Sequence, residues 1–197
     1  MWLAFSAASE PGLIAFPFSL ELTMQSLSMY QISVPVFVRG LGILAAYLEK
    51  AEAHAKANNI DPAEMVNARL APDMLTLAGQ VQRASDTSKN AIGRLSSIEA
   101  PRMEDNEVTL ADLQARVAKT IAFLETVKPE DLSGSETREV TLSFSKFKTT
   151  LKGDAYLLTF ALPNFFFHLT TVHDILRNKG LAVGKIDYLG HFDMVPV

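Results

Sequence analysis

The sequence predicts an all-α protein: an antiparallel bundle of four long helices with a small β-hairpin before the last of them. Three observations carry that prediction. Apolar residues recur at spacings of three and four in four separate stretches, near residues 30–58, 72–97, 109–127 and 154–179. Ahead of the fourth stretch the pattern changes to two short runs of β-branched and aromatic residues, Glu139–Phe144 and Phe147–Lys152. Capping residues and helix breakers fall at the joints between these segments.

A chain of 197 residues that is 48% hydrophobic can bury one substantial core and is short for two domains of ordinary size. With no cysteine, disulfides, thiolate metal sites and a cysteine nucleophile are excluded, and a reducing, cytoplasmic setting is the expectation. A formal net charge of −4 and the lack of any Lys/Arg cluster argue against nucleic acid as a partner.

Residues 1–28 contain two acidic residues and no Lys or Arg, and their apolar runs break at Pro11, Gly12 and Pro17. They fit neither a secretory signal nor a membrane span, which needs about 20 apolar residues, so no membrane partner is expected. Met24 and Met29 are alternative starts, and residues 1–28 are read as a lead outside the fold that adds little stability.

In the first helix, from Tyr30 to about Asn58, the apolar face is Phe37, Leu41, Leu44, Leu48 and Ala51, with Pro35 in the opening turn. Asp61-Pro62-Ala63-Glu64 reads as the start of a short helix, with an N-cap, a proline at the first helical position and a capping glutamate. Ala71-Pro72-Asp73 reads as the start of the second long helix, whose stripe runs through Leu70, Met74, Leu77, Val81, Ala84, Ile92 and Leu95 to about Ser97. Beside that stripe Arg69, Asp73, Thr76 and Gln80 form a polar line at spacings of three and four.

An acidic linker over 99–108 leads to Thr109-Leu-Ala-Asp112, a capping-box start for the third helix, with Leu110, Leu113, Val117, Ile121 and Leu124 on its apolar face and Arg116 off it. The hairpin follows, then Gly153-Asp154 opens the fourth helix, Pro163 bends it and Asn178-Lys179-Gly180 stops it. The domain is expected over 29–190, with an irregular end and a tail at 191–197.

The fourth helix carries the candidate site. Wound regularly, it aligns Leu157, Ala161, Asn164, His168, Thr171 and Ile175 within about 40° of one line, which puts a polar pair on a core-facing stripe. A second apolar line holds Leu158, Leu162, Phe165, Leu169, Val172 and Leu176, and Phe166 and His173 fall outside both. Three readings of His168 stay open: a core histidine hydrogen-bonded to a polar neighbour, a pocket-lining base or ligand-binding group, and a metal ligand. His173 is read as a surface or interface residue, and His54 and His191 have no partner at ligand spacing. Arg69 and Asp73, four apart, read as a structural ion pair or a substrate clamp.

The SMYQISVPVFVRGL opening, the NARLAPDMLTLAGQVQRASD stretch, the ALPNFFFH–DILR helix and the hairpin before it together resemble an uncharacterised, domain-of-unknown-function branch of the DinB-like (DinB/YfiT) superfamily, over roughly residues 28–190. The resemblance implies an up-down-down-up four-helix bundle, a homodimer and, in many members, a divalent metal held by three histidines, two of them an H-x-x-x-H pair. Some members are transferases that use a low-molecular-weight thiol. The matching pair in this chain is Asn164 and His168, and no histidine lies on the second helix, where Asp73 and Gln80 stand, so the three-histidine set is not intact.

The function expected is binding of a small ligand, or of a weakly held divalent metal with His168 as ligand, in a pocket between the second and fourth long helices lined by Asn164, His168, Asp73, Gln80 and Arg69. The alternatives are a metal-dependent transferase using a low-molecular-weight thiol and a structural homodimer without catalysis. Whether the chain is an enzyme, and with what catalytic residues, is left open by the sequence.

Overall fold

A computed structural model describes residues 26–144 and 147–190. The expected lead as far as residue 25, the pair 145–146 between the strands, His191 and the 191–197 tail lie outside the described residues. The protein is mostly helical, 63% helix and 7% strand, with one two-stranded antiparallel sheet.

Helix α1 (Val34–Ala57) starts later than its periodicity suggested, because residues 30–33 form turns in which the Ser33 hydroxyl donates to the Met29 carbonyl at 2.6 Å. Pro35 sits in its first turn, where a missing N–H leaves nothing unsatisfied. Its buried face is Phe37, Leu41, Leu44, Leu48 and Ala51, joined by Tyr47. Asn59, in the left-handed region at φ 54°, turns the chain out of the helix. Helix α2 (Pro62–Val66) follows its cap, Asp61, whose carboxylate accepts from the Ala63 N–H at 2.9 Å.

The second long helix, α3 (Leu77–Leu95), begins at Thr76 and not at Ala71-Pro72-Asp73. The Thr76 hydroxyl accepts from the Gly79 N–H at 3.1 Å, and the Leu77 N–H is taken by the Ala68 carbonyl at 2.8 Å. Residues 67–76 are therefore a loop that folds back, and Leu70 and Leu75 are exposed on it. Helix α4 (Leu110–Glu125) opens with the expected capping box: Thr109 Oγ1 accepts from the Asp112 N–H, and Asp112 Oδ2 accepts from the Thr109 N–H.

Strands β1 (Glu139–Phe144) and β2 (Phe147–Lys152) pair with Val140 opposite Leu151 and Thr141 opposite Thr150. Val140 and Leu142 point into the core, and the Thr141 and Thr150 hydroxyls bond across the outer face at 3.0 Å. Gly153 then passes so close to the Ser135 carbonyl that a Cβ would lie 1.9 Å from its oxygen, so the chain enters the last helix only through a glycine.

The last long helix, α5 (Gly153–Asn178), is not a uniform α-helix. Residues Leu157–Ala161 form a π-turn, closed by the Leu162 N–H on the Leu157 carbonyl, immediately before Pro163. The π-turn inserts one residue into the ladder, which shifts the helix phase by roughly 100°. Tyr156, Leu157, Ala161 and Phe165 consequently all face inward, and Leu158, expected on a core line, is 55% exposed. By length and composition α5 could cross a membrane, yet its apolar stripes pack against α3 and α1.

The core closes through α1 against α4, α3 against α4 and α5, and α1 against α5. After Gly180, at φ 88°, the chain is less irregular than expected, forming a short helix α6 (Lys185–Leu189) with no buried residue.

Candidate functional site

Asn164 and His168 lie one turn apart on α5 and face α3, which presents Gln80 and Thr87 two turns apart. His168 Nδ1 is 2.7 Å from Gln80 Oε1, and Asn164 Nδ2 donates to Thr87 Oγ1 at 2.7 Å. Gln80 is held in turn by donating its amide to the Leu75 carbonyl at 3.4 Å. Because an amide oxygen only accepts, the hydrogen sits on His168 Nδ1 and Nε2 carries the lone pair.

His168 is 9% exposed, and burial, with the nearby Arg83 guanidinium adding to it, pushes its pKa down to about 4. It is therefore neutral at pH 7. Among the described residues nothing bonds Nε2, and no fully buried side-chain nitrogen or oxygen lacks a partner, so Nε2 reaches a solvent-accessible edge. Phe167, 57% exposed, stands edge-on to the imidazole with ring centroids 5.3 Å apart. The site thus offers one oriented, neutral imidazole nitrogen beside an exposed aromatic ring.

Of the residues picked from sequence, the structure brings together Gln80, Asn164 and His168. It leaves Asp73 and Arg69 out: both are exposed in the 67–76 loop, and the Arg69 guanidinium donates to the Met74 carbonyl. The helix that would have spaced them four apart on one face does not extend that far. Among the described residues no three His, Asp or Glu side chains converge as a metal-binding group. The donors that do converge are one imidazole and two amides, with the Gln80 oxygen already accepting from His168, a set that does not suit zinc or nickel.

Thr87, the partner of Asn164, escaped the sequence reading, although it lies seven residues beyond Gln80 and so on the same helix face. His173 was misplaced: it is half-buried and shares a 2.8 Å hydrogen bond with the buried Tyr47 hydroxyl on α1. Phe166 does face outward, and Phe167 does so more fully.

Arg116, expected on the polar side of α4, has a side chain only 1% exposed. It bonds Asp86 Oδ1 and Glu107 Oε1 at 2.8 Å each, Asp105 at 3.1 Å, the Ser85 hydroxyl and the Glu104 carbonyl. Lys89 and Arg83 also pair with Asp86, so three cations and three carboxylates tie the 99–108 linker onto α3 and α4.

A family model described as a domain of unknown function, DUF1993, matches residues 29–189. The crystal structure of a DinB family member protein from Shewanella denitrificans is 36% identical and superposes with a TM-score of 0.78, covering 85% of this chain and 95% of that one. No curated protein matches the chain.

Proposed function

Since the chain belongs to the DUF1993 family and is DinB-like, we propose that it is a binding protein that takes a small ligand at the α3–α5 face, with His168 Nε2 as the recognising atom. One observation carries this: a buried histidine is fixed through Nδ1 by Gln80 while its other nitrogen stays unengaged beside the exposed Phe167 ring. A neutral imidazole so placed accepts a hydrogen bond from a ligand N–H or O–H, and the ring supplies apolar contact. The Thr87 hydroxyl is engaged by the Asn164 amide and the Thr171 hydroxyl by the Phe167 carbonyl, which favours binding over covalent transfer.

The reading takes the four long helices as an up-down-down-up bundle, supported by the packing of α1 on α4 and of α3 on both α4 and α5. The thiol-transferase alternative draws no support from the donor set, because one imidazole and two engaged amides do not make a divalent-metal site. The test is imidazole nitrogen NMR of the full-length chain against a library of small polar aromatics. Ligands that move His168 Nε2 and lose affinity in His168→Phe are expected. A library whose binders shift other resonances and leave Nε2 unmoved refutes the reading, as does retention of a full equivalent of zinc after desalting.

A second reading, a homodimer, rests on Leu158 and Phe167, each more than half exposed on α5, with Phe166 beside them. Sedimentation at micromolar concentration decides it, monomer being the result against.

A further inference from the structure

Away from the His168 face, α1, α5 and α6 enclose a cavity of about 320 Å³. Its walls are apolar, with Ile43 from α1, Phe166 and Leu169 from α5 and Leu189 from α6, and among the described residues its single charged lining residue is Arg39. The volume is at the low end of the roughly 300–1,000 Å³ found for small-molecule sites.

The cavity follows from how its walls are held. Gly40 lets α1 and α5 approach until the Phe165 ring lies where a Cβ would be, 2.4 Å from it, which sets the floor. The roof, α6, buries none of its own residues. It is fastened by polar contacts at its edges: Lys50 to Asp187, the Tyr188 hydroxyl to Thr170 at 2.9 Å, and the Arg39 guanidinium to the Leu189 carbonyl. Fastened at its rim, α6 spans the apolar surface without filling it.

We propose that this cavity binds a small monocarboxylate with an apolar body, the carboxylate on Arg39 and the body between Ile43, Phe166 and Leu169. Arg39 spends one Nη2 hydrogen on Leu189, and among the described residues its other guanidinium hydrogens meet no carboxylate. One guanidinium fork matches the two oxygens of a carboxylate, whereas a phosphate calls for more cationic donors than this rim supplies. The apolar walls exclude a wholly polar anion and select for a hydrocarbon tail.

The test is calorimetric titration of the full-length chain with octanoate, and with 1-octanol as the uncharged counterpart, in wild type, Arg39→Gln and Ile43→Trp, each checked for native circular dichroism. Wild type should take up one equivalent of octanoate saturably. Arg39→Gln should weaken octanoate by about tenfold or more and octanol much less, since the charge-assisted bonds are lost while α6 keeps its Lys50–Asp187 and Tyr188–Thr170 fastenings. Ile43→Trp, which fills the cavity, should abolish both. The proposal is overturned if wild type shows no saturable uptake, if Arg39→Gln binds octanoate as wild type does, or if a folded Ile43→Trp still binds it.

Discussion

Protonation of His168 should couple the stability of this protein to pH in a way that a single substitution can isolate. The native pKa is held near 4 by burial and by Arg83, against 6.5 in the unfolded chain. Above pH 6.5 neither state carries the proton, and the native state keeps its full stability. Between 6.5 and 4 the unfolded chain binds a proton that the native site refuses, so stability falls as the pH drops, by about 1.4 kcal/mol per pH unit. Below 4 both states are protonated and the slope ends. Over the whole window the loss is about 3 kcal/mol, and by pH 4.5 it should be between about 2 and 3 kcal/mol.

In His168→Gln this dependence should vanish, because glutamine does not titrate. Urea unfolding of wild type and variant at pH 7.5, 6.5, 5.5 and 4.5 reads it directly. At pH 7.5 the variant should be less stable by about 1–2 kcal/mol for the lost bond to Gln80, and by pH 4.5 the difference should have closed or reversed. A difference that stays constant over that range would refute the reasoning, since it would mean that the native imidazole protonates as readily as the unfolded one. Arg83→Gln should shorten the window from its acid side by raising the native pKa, with burial left as the larger cause.

Two glycines two residues apart on α1, and so on nearly opposite faces, should respond with opposite signs in thermal unfolding: Gly40→Ala should lose about 1–3 kcal/mol because the buried Phe165 ring stands where the methyl would go, and Gly42→Ala, with nothing within 4 Å, should gain about 0.5–1 kcal/mol of helix propensity. Arg116→Leu should lose about 3 kcal/mol in urea unfolding, by leaving Glu107 and Asp86 short of their shared guanidinium, and should expose the 99–108 linker to protease. His173→Ala should cost about 1–3 kcal/mol because it strands the buried Tyr47 hydroxyl, and Tyr47→Phe should cost less because the half-buried imidazole left behind can turn to water.

Where the determinants of structure are local, the sequence could be read closely. The strands Glu139–Phe144 and Phe147–Lys152 and the Thr109/Asp112 capping box are set by residues a few positions apart, and they form where the pattern places them. The inward position of His168 was readable because helical phase is fixed on the C-terminal side of Pro163. The start of α3 was not, because Pro72 and Asp73 make an equally good local signal, and the choice falls to Thr76 through a hydrogen bond from Leu77 to the distant Ala68 carbonyl. Arg116 and His173 were missed for the same kind of reason. A guanidinium is buried here only because carboxylates from α3 and the linker meet it, and His173 is drawn inward by a tyrosine 126 residues away. Such partners leave no trace in the periodicity of the segment they act on.

The surplus residue in the turn at Leu157–Ala161 also makes the last helix two pieces with separately set bearings. On its N-terminal piece Tyr156 is buried and meets Arg94 at 3.2 Å, and on its C-terminal piece Asn164 and His168 meet Thr87 and Gln80. Winding these same residues as a regular α-helix would swing one piece by roughly 100° against the other, driving Leu158 inward and Tyr156 out, whereas excising one residue of the turn would remove the bulge and keep both bearings. A one-residue deletion at this joint should therefore leave the hairpin aimed as it is relative to His168, and it is a further insertion, or a regular winding forced on all the residues present, that re-aims it.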